Sequence, residues 1–221
     1  MHRFIKLLLL LTPFLFISCL DIVEEFDLNE KKGGKVTYTF NLSQSKIKIN
    51  TLLKLDSIKG FRIPKLNEVE QKLSEAVKEL KTKKGISNAS YSVNHTDYIY
   101  TLSISFSSIA NLDNAIQEMS YWKFSSWKPT KKFYELNNNV FEKNIELIDL
   151  TAQQEIEIKK NKETLQQGNY TFVLRSKNLL ATKSPSDLNI SGNKKAVMLR
   201  KSSYDVINNG ELTKIAVVLK D

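Results

Sequence analysis

The stretch DIVEEFDLNEKKGGKVTYTFNL, residues 21–42, contains two alternating segments on either side of a turn. In the first segment Ile22, Phe26 and Leu28 fall on one face, as the period of two in a strand requires. The large apolar residues of the second segment alternate in the same way: Val36, Tyr38, Phe40 and Leu42. Residues 29–34 lie between the two segments and end in two glycines, which would permit positive φ in a tight turn. The sequence therefore predicts an antiparallel hairpin at the start of the folded body.

A short apolar segment precedes this hairpin. Residues 1–6 carry Arg3 and Lys6 and no acidic residue, and residues 7–17 are apolar apart from Thr12 and Pro13. A helix needs about 20 apolar residues to cross a bilayer, so this segment is too short to span one. Its basic start and short apolar middle are typical of a secretory signal peptide.

The end of this segment reads Phe16-Ile17-Ser18-Cys19 and resembles the lipobox of bacterial lipoproteins. Cys19 is also the only cysteine in the sequence, which supports this interpretation. The resemblance implies that a diacylglycerol is attached to the Cys19 thiol and that the chain is then cut before Cys19. We therefore expect residues 1–18 to be a lipoprotein signal peptide and Cys19 to carry the lipid anchor. The alternatives are an ordinary signal peptide or a buried structural thiol.

Composition limits the class of protein and its partners. Removal of residues 1–18 leaves 31 Lys and Arg against 24 Asp and Glu, a formal charge of +7. Hydrophobic residues make up 41% of the chain and aromatic residues 10%, enough for a core, so the body is not a disordered tail. Because the chain is exported, we expect no nucleic-acid partner. The excess lysine favours anionic lipid headgroups or acidic glycans as contacts, or serves only to keep the surface soluble.

Further alternating and helical patterns follow the hairpin. Helical spacing indicates one helix over residues 66–83, stopped by Gly85, and a shorter one that Asn111 caps and that runs to Met119. A helix is weakly favoured over residues 43–58, and a solvated helix over residues 147–167. Two more hairpins and a set of single strands are predicted over 87–93 with 98–106, 133–136 with 140–145, 170–175, 195–200 and 212–219.

This order of elements predicts an α+β fold. We expect a mostly antiparallel sheet of hairpins with two to four helices packed on it, because short connections join most strands. We expect residues 19–221 to form a single domain, and a sub-boundary near residues 146–168 stays open.

The start of the mature chain also resembles uncharacterised lipoproteins of Bacteroidota. The residues that carry this resemblance are residues 19–26 (CLDIVEEF), Leu28-Asn29, Gly33-Gly34 and residues 38–43 (YTFNLS). In lipoproteins of that group, acidic residues after the cysteine direct export to the cell surface, and Asp21, Glu24 and Glu25 stand near that position. The resemblance implies a cell-envelope location, which we expect to be the outer membrane, and it leaves surface exposure open.

Few residues offer catalytic or metal-binding chemistry. His95 is the one histidine of the mature chain and lies in a predicted turn, which excludes zinc sites built from two or more His and Cys ligands. No glycine-rich phosphate loop or nucleophile motif occurs in the sequence. The acidic pairs Glu68 with Glu70 and Glu155 with Glu157 stand among lysines on predicted solvated faces. We expect no catalytic residue, no metal and no cofactor.

The segment at residues 121–134 combines both tryptophans with lysines. Amphipathic rings beside cationic side chains suit a membrane interface or a groove for sugars or peptides. Trp122, Trp127, Lys123 and Lys128 are therefore candidate ligand or membrane contacts. The alternative is that alternate rings pack in the core while the lysines face water.

These patterns predict a membrane-anchored, non-catalytic envelope lipoprotein that binds or scaffolds a protein, a lipid or a glycan. The first alternative is an envelope hydrolase that uses carboxylates. The second is an assembly factor that acts by strand addition, which requires an unpaired sheet edge.

Overall fold

The predicted N-terminal hairpin is present in the structure. The computed structural model describes residues 20–55, 57–58, 61–62, 65–123, 132–144, 156, 158–160 and 162–220. Strand β1 (Asp21–Leu28) pairs antiparallel with β2 (Gly34–Asn41), with Phe26 opposite Val36. Both of these side chains are fully buried. The alternation read from the sequence therefore identifies the face of the hairpin that contacts the core.

The turn of this hairpin differs from the prediction in one respect. Positive φ occurs at Lys32 (61°), whereas neither Gly33 nor Gly34 adopts it. The two glycines are needed for space instead. A Cβ on Gly33 would lie 2.6 Å from the carbonyl oxygen of Ser107, and a Cβ on Gly34 would lie 2.1 Å from that of Asp27.

Two sheets and a small β-ribbon make up the strand content. The remaining strands are β3 (Ser57–Ile58), β4 (Phe61–Arg62), β5 (Ile86–Asn94), β6 (Ile99–Phe106), β7 (Tyr134–Asn137), β8 (Val140–Lys143), β9 (Asn169–Ser176), β10 (Leu179–Ser184), β11 (Asn189–Ile190), β12 (Ala196–Ser202) and β13 (Ile215–Lys220). The seven-stranded sheet has the order β11-β12-β9-β1-β2-β6-β5, and the four-stranded sheet has the order β10-β13-β8-β7. Strands β3 and β4 form a two-stranded ribbon.

Most strand pairs are antiparallel, and β1 with β9 forms a parallel pair. The sequence did not predict this parallel contact, because strands so far apart along the chain leave no turn signal between them. Strand β9 follows residues 146–168, the candidate sub-boundary, and much of that region lies outside the described residues.

The helices are α1 (Lys46–Leu52), α2 (Leu66–Leu80), α3 (Ile109–Lys123), α4 (Lys162–Gln167) and α5 (Ser203–Asn208). Short 3₁₀ turns occur at Ser43–Ser45 and Gly210–Thr213. These elements, together with the sheets, confirm the predicted α+β class with mostly antiparallel pairing.

Two of the predicted helix ends can be compared with the structure. Helix α2 is followed by Gly85 at a φ of 77°, as the predicted stop requires. The predicted cap at Asn111 is wrong, because Asn111 lies inside α3 and donates its backbone N–H to Ser108 Oγ at 3.2 Å. A serine just before a helix is a strong cap, since its hydroxyl oxygen reaches the N–H three residues later.

The core lies between the two sheets and centres on Phe26. Its ring has centroid distances of 5.0 Å to Tyr134, 5.3 Å to Phe141, 5.9 Å to Phe172 and 6.2 Å to Phe106. Tilted and edge-on aromatic contacts of this kind add stability beyond the burial of apolar area. None of the helices in the described part of the chain is long and apolar enough to cross a membrane.

Candidate functional site

A cluster of polar side chains lies between the two sheets, inside the aromatic core. Glu24 occupies an inward position of β1 and is 4% exposed. Tyr134 donates its hydroxyl to Glu24 Oε1 at 2.6 Å, and Tyr170 donates to Oε2 at 2.5 Å. The hydroxyl of Tyr38 lies 2.9 Å from that of Tyr134. Tyr134 and Tyr170 thus bind the Glu24 carboxylate directly, and Tyr38 is joined to it through Tyr134.

Lys143 supplies the cation of this cluster. It is 1% exposed, and its Nζ lies 3.6 Å from Glu24 Oε2. The same Nζ donates to the Thr213 carbonyl oxygen at 3.5 Å and stands 5.1 Å from the ring centroid of Tyr170. Burial lowers the pKa of Lys143, while the charge of Glu24 and its hydrogen bond oppose this effect.

The three tyrosines of the cluster are held in their protonated form. Burial raises the pKa of Tyr38, Tyr134 and Tyr170 well above the ordinary value, and the nearby charge of Glu24 raises each of them further. They therefore act as hydrogen-bond donors and acceptors across the physiological pH range, not as bases.

The arrangement of this cluster suits a structural role. Glu24, Tyr38 and Tyr170 belong to the seven-stranded sheet, whereas Tyr134 and Lys143 belong to the four-stranded sheet. A buried charge is tolerated only when it is paired and hydrogen-bonded, and here both charges are. The carboxylate and the ammonium are too deeply buried to meet a substrate in this conformation. The cluster joins the two sheets.

Asp113 connects helix α3 to the start of β7. It is 1% exposed, and its Oδ1 accepts the backbone N–H groups of Phe133 at 2.8 Å and Tyr134 at 3.0 Å. Its Oδ2 accepts the side-chain amide of Gln117 at 2.7 Å. Burial raises the pKa of Asp113, and the two backbone donors oppose that rise.

Two surface pockets carry basic side chains. One, of about 620 Å³, is lined by Arg175, Lys177, Lys195 and Asp27 among others. Arg175 is already engaged there, since its Nη1 lies 2.8 Å from Glu25 Oε1 and 3.9 Å from Asp27 Oδ1. The other pocket, of about 160 Å³, is lined by Lys31, Lys32, Lys132, Tyr134 and several neighbours. Both pockets lie at the end of the seven-stranded sheet where β1 and β9 finish.

The described residues include few of the predicted contact residues. Cys19, Trp127 and Lys128 lie outside them, and Trp122 and Lys123 lie at the end of α3 with side chains that are also outside them. The prediction that these four residues of the aromatic segment contact a ligand or a membrane therefore stays a prediction. Tyr134, the last residue of that segment, is a core residue.

His95 lies in the predicted turn between β5 and β6, where its Nε2 is 2.8 Å from Glu70 Oε2. Glu70, one of the acidic pair considered for catalysis, is thus engaged in a hydrogen bond at the protein surface. In the described part of the chain, no three His, Cys, Asp or Glu side chains lie close enough to hold a metal ion.

The acidic residues that follow Cys19 all have partners in the fold. Asp21 Oδ1 accepts the backbone N–H of Asn169 at 3.0 Å and its side-chain amide at 2.9 Å. Glu25 pairs with Arg175, and Glu24 is the centre of the buried cluster.

The pairing of Glu24 with Lys143 was not predicted from the sequence. A signal was present, because Glu24 shares the inward parity of Ile22, Phe26 and Leu28, and Lys143 shares that of Phe141. A charged residue at an inward position of two strands indicates a buried pair. The sequence alone could not show that the two strands face each other.

Comparisons with known proteins give no family. No protein-family model matches the chain, and no curated protein matches it. Among solved structures, the folded domain of LppM from Mycobacterium tuberculosis, determined by NMR, is similar at a TM-score of 0.40 and 10% identity, over 92% of each chain. At this TM-score the similarity establishes neither a common fold nor a common function.

Proposed function

We propose that this chain is a lipid-anchored protein of the cell envelope, attached through Cys19, with a non-catalytic binding or scaffolding role. The observation that carries the proposal is the pair of hydrogen bonds that the folded body makes to the carbonyl oxygen of Leu20. Leu20 follows directly on the lipobox-like segment and is already held by the folded body.

The contacts of Leu20 leave no room for a flexible linker after Cys19. The Leu20 carbonyl oxygen accepts the backbone N–H of Asn169 at 3.1 Å and the hydroxyl of Ser203 at 3.0 Å. A Cβ on Gly168 would lie 2.5 Å from the same oxygen, so the backbone of Leu20 fills the space beside this glycine. With lipid on Cys19, the body would start one residue from the acyl chains, which is at most about 3.6 Å of extended chain.

A non-catalytic role is supported by the partners of the acidic residues. The buried carboxylate of Glu24 is occupied by two tyrosines and a lysine, and Glu70 is occupied by His95. These are the groups that a carboxylate-dependent hydrolase would need to leave free for substrate.

A binding role is supported by the edge strand β5, which pairs on one side with β6. An edge of this kind presents backbone donors and acceptors to a further strand. We take β5 as the binding surface of the proposed function and the outer membrane as the proposed location.

The test compares wild type with Cys19→Ala in the native host. Wild type should incorporate labelled palmitate and pellet with membranes, while Cys19→Ala should lose the label and, once processed or released, leave the membrane fraction. Ser18→Ala is the matched control, because a small residue is retained before the cysteine and processing should continue. Labelling of Cys19→Ala at the wild-type level would contradict the proposal.

A further inference from the structure

Strand β5 is a long edge that pairs regularly with β6 from Asn88 to Asn94, after one β-bulge between Ile86 and Asn88. It runs for nine residues, ISNASYSVN, and contains neither a charged residue nor a proline. Natural proteins normally protect sheet edges with charges, prolines or short strands, because an open edge pairs with other chains. The regular part of this edge, from Asn88 to Asn94, carries none of these protections and is therefore expected to have a partner.

The other edges of the two sheets are protected in the usual ways. Strand β11 is only two residues long, and β7 is four residues long and carries Glu135. Strand β10 is followed directly by Pro185. The contrast singles out β5.

The pairing pattern identifies which backbone groups of β5 point outward. Tyr98 O accepts the N–H of Leu42 on the β2 side, and Ser107 donates to Gly85 O on the β5 side. Strand residues alternate in the direction of their hydrogen bonds, so the odd-numbered residues of β6 bond toward β5. Their partners in β5 are Asn88, Ser90, Ser92 and Asn94. The residues left with outward N–H and C=O groups, unpaired among the described residues, are Ala89, Tyr91 and Val93.

We infer that β5 pairs antiparallel with β5 of a second copy of this chain, about a two-fold axis at Tyr91. This register sets Tyr91 opposite Tyr91 and Ala89 opposite Val93, so that every outward-bonding residue meets another. It forms about six backbone hydrogen bonds between the copies and makes one continuous sheet. Registers shifted by two residues would leave one of the three positions without its partner.

The side chains of β5 are complementary to themselves in this register. On the outer face Ser90 meets Ser92 and Asn88 meets Asn94, so no like charges are opposed. On the inner face Tyr91 and Val93 are only partly buried, and Tyr91 packs at the margin of the core. The second copy extends this apolar margin.

The residues that flank β5 differ between its two ends. Lys84 precedes the strand and is exposed. Asp97 follows it, with a side chain 45% exposed that pairs with Lys46 at 2.9 Å. The two-fold axis brings Lys84 of one copy to the end where the other copy carries this pair.

The dimer also constrains the orientation on the membrane, and this consequence rests on the proposed anchor. The axis places the two Leu20 residues at opposite ends of the joined sheet. Both copies keep their anchors in one bilayer when the sheet lies along the membrane surface. The pairing itself needs no lipid, so the two ideas fail separately.

The first test measures the mass of the full chain in detergent by sedimentation, both as wild type and as Cys19→Ala. We expect a dimer in both. Ser90→Lys with Ser92→Lys places lysines opposite each other at two pairs and should raise the dimer dissociation constant about tenfold or more. The matched control is Thr101→Lys with Ser103→Lys, which adds the same charge on the adjacent inner strand and should leave the dimer intact.

The second test fixes the register by cross-linking in the Cys19→Ala chain. Ser90 and Ser92 of opposite copies form a non-hydrogen-bonded pair with Cα atoms about 4.5 Å apart, within disulfide range. A mixture of Ser90→Cys and Ser92→Cys chains should cross-link, whereas either variant alone should not.

Three results would overturn the inference. One is a monomer for both wild type and Cys19→Ala, including a monomer that binds an extended peptide of another protein instead. A second is a dimer of the lipidated chain alone, since detergent or lipid would then hold it. The third is a dimer that Ser90→Lys with Ser92→Lys does not weaken and that the mixture of Ser90→Cys and Ser92→Cys chains does not cross-link.

Discussion

At the scale of single residues, a buried charge pair joins the two sheets, with one member on each sheet. Glu24 and Lys143 are 4% and 1% exposed and 3.6 Å apart. Such a pair is weak as a source of net stability, because desolvation offsets much of the attraction. Removal of only one of the two charges is costly, because the other charge is then left buried without its partner.

This asymmetry leads to a double-mutant test. Lys143→Met and Glu24→Gln should each lower the free energy of unfolding by about 3 kcal/mol or more, since each leaves one buried charge. The double variant should lose less than the sum of the two, with a coupling above about 1 kcal/mol. Denaturant titration gives the values. Additive losses would show that the two charges do not interact.

At the scale of elements, the hairpin shows which features the sequence alone can predict and which it cannot. The apolar alternation of β1 and β2 predicted their bounds to within a residue and the buried face correctly. The role of the glycines was wrong in kind, because Gly34 meets the Asp27 carbonyl across the ladder and that contact exists only after pairing. Local sequence patterns predict strands and helices. The distance at which two backbone segments approach each other is known only from the folded structure.

The same distinction explains what was missed elsewhere. Asn137 to Asn139 marked the β7–β8 turn through residues that tolerate positive φ, and Asn138 and Asn139 adopt it at 47° and 64°. Strand β10 and the parallel contact of β1 with β9 were not predicted. Their pairing follows from packing between segments that are distant in the sequence. Turn residues do not predict packing of this kind.

Gly34 also supplies a prediction for the hairpin. Gly34→Ala should lower the free energy of unfolding by about 1–3 kcal/mol, because the new Cβ would overlap a backbone oxygen that cannot move away cheaply. Gly192→Ala is the control, since no heavy atom lies within 4 Å of its added Cβ. We expect that control to change stability by less than about 0.5 kcal/mol. Equal effects of the two substitutions in thermal or denaturant unfolding would contradict the close approach.

At the scale of the whole molecule, the two sheets share a core whose polar centre responds to alkaline pH. The pKa values of Tyr38, Tyr134 and Tyr170 are raised above the ordinary 10.0. Above that pH the unfolded chain releases these protons and the folded chain keeps them, so stability falls as pH rises. Lys143 acts in the opposite sense, because its pKa is lowered from 10.5. The gain in stability from Lys143 as pH rises is complete once the pH exceeds the pKa of this lysine in the unfolded chain.

The expected result is one alkaline transition. The tyrosinate absorbance of the buried rings should appear together with the loss of circular dichroism, because these rings ionise only as the sheets separate. Tyr134→Phe should reduce the dependence of stability on pH above about 10. Ionisation of all tyrosines near pH 10 with unchanged circular dichroism would contradict the closed cluster.

The positions of Leu20 and the basic pockets define two ends of the molecule. Leu20 lies where β1 begins, and the pocket with Arg175, Lys177 and Lys195 lies where β1 ends, about 26 Å away along eight residues of strand. On an upright body the basic pocket would point away from the anchor. On a body lying along the membrane it would stay near the headgroups.

The central claim is that this body is tied to a membrane at Cys19, one residue before the fold begins. Mass spectrometry of the N-terminal peptide, purified from host membranes, tests it most directly. We expect a peptide that begins at Cys19 and carries a diacylglyceryl group on its sulfur. An N-terminus at any other residue, or a Cys19 thiol that remains free to react with an alkylating reagent, would contradict it.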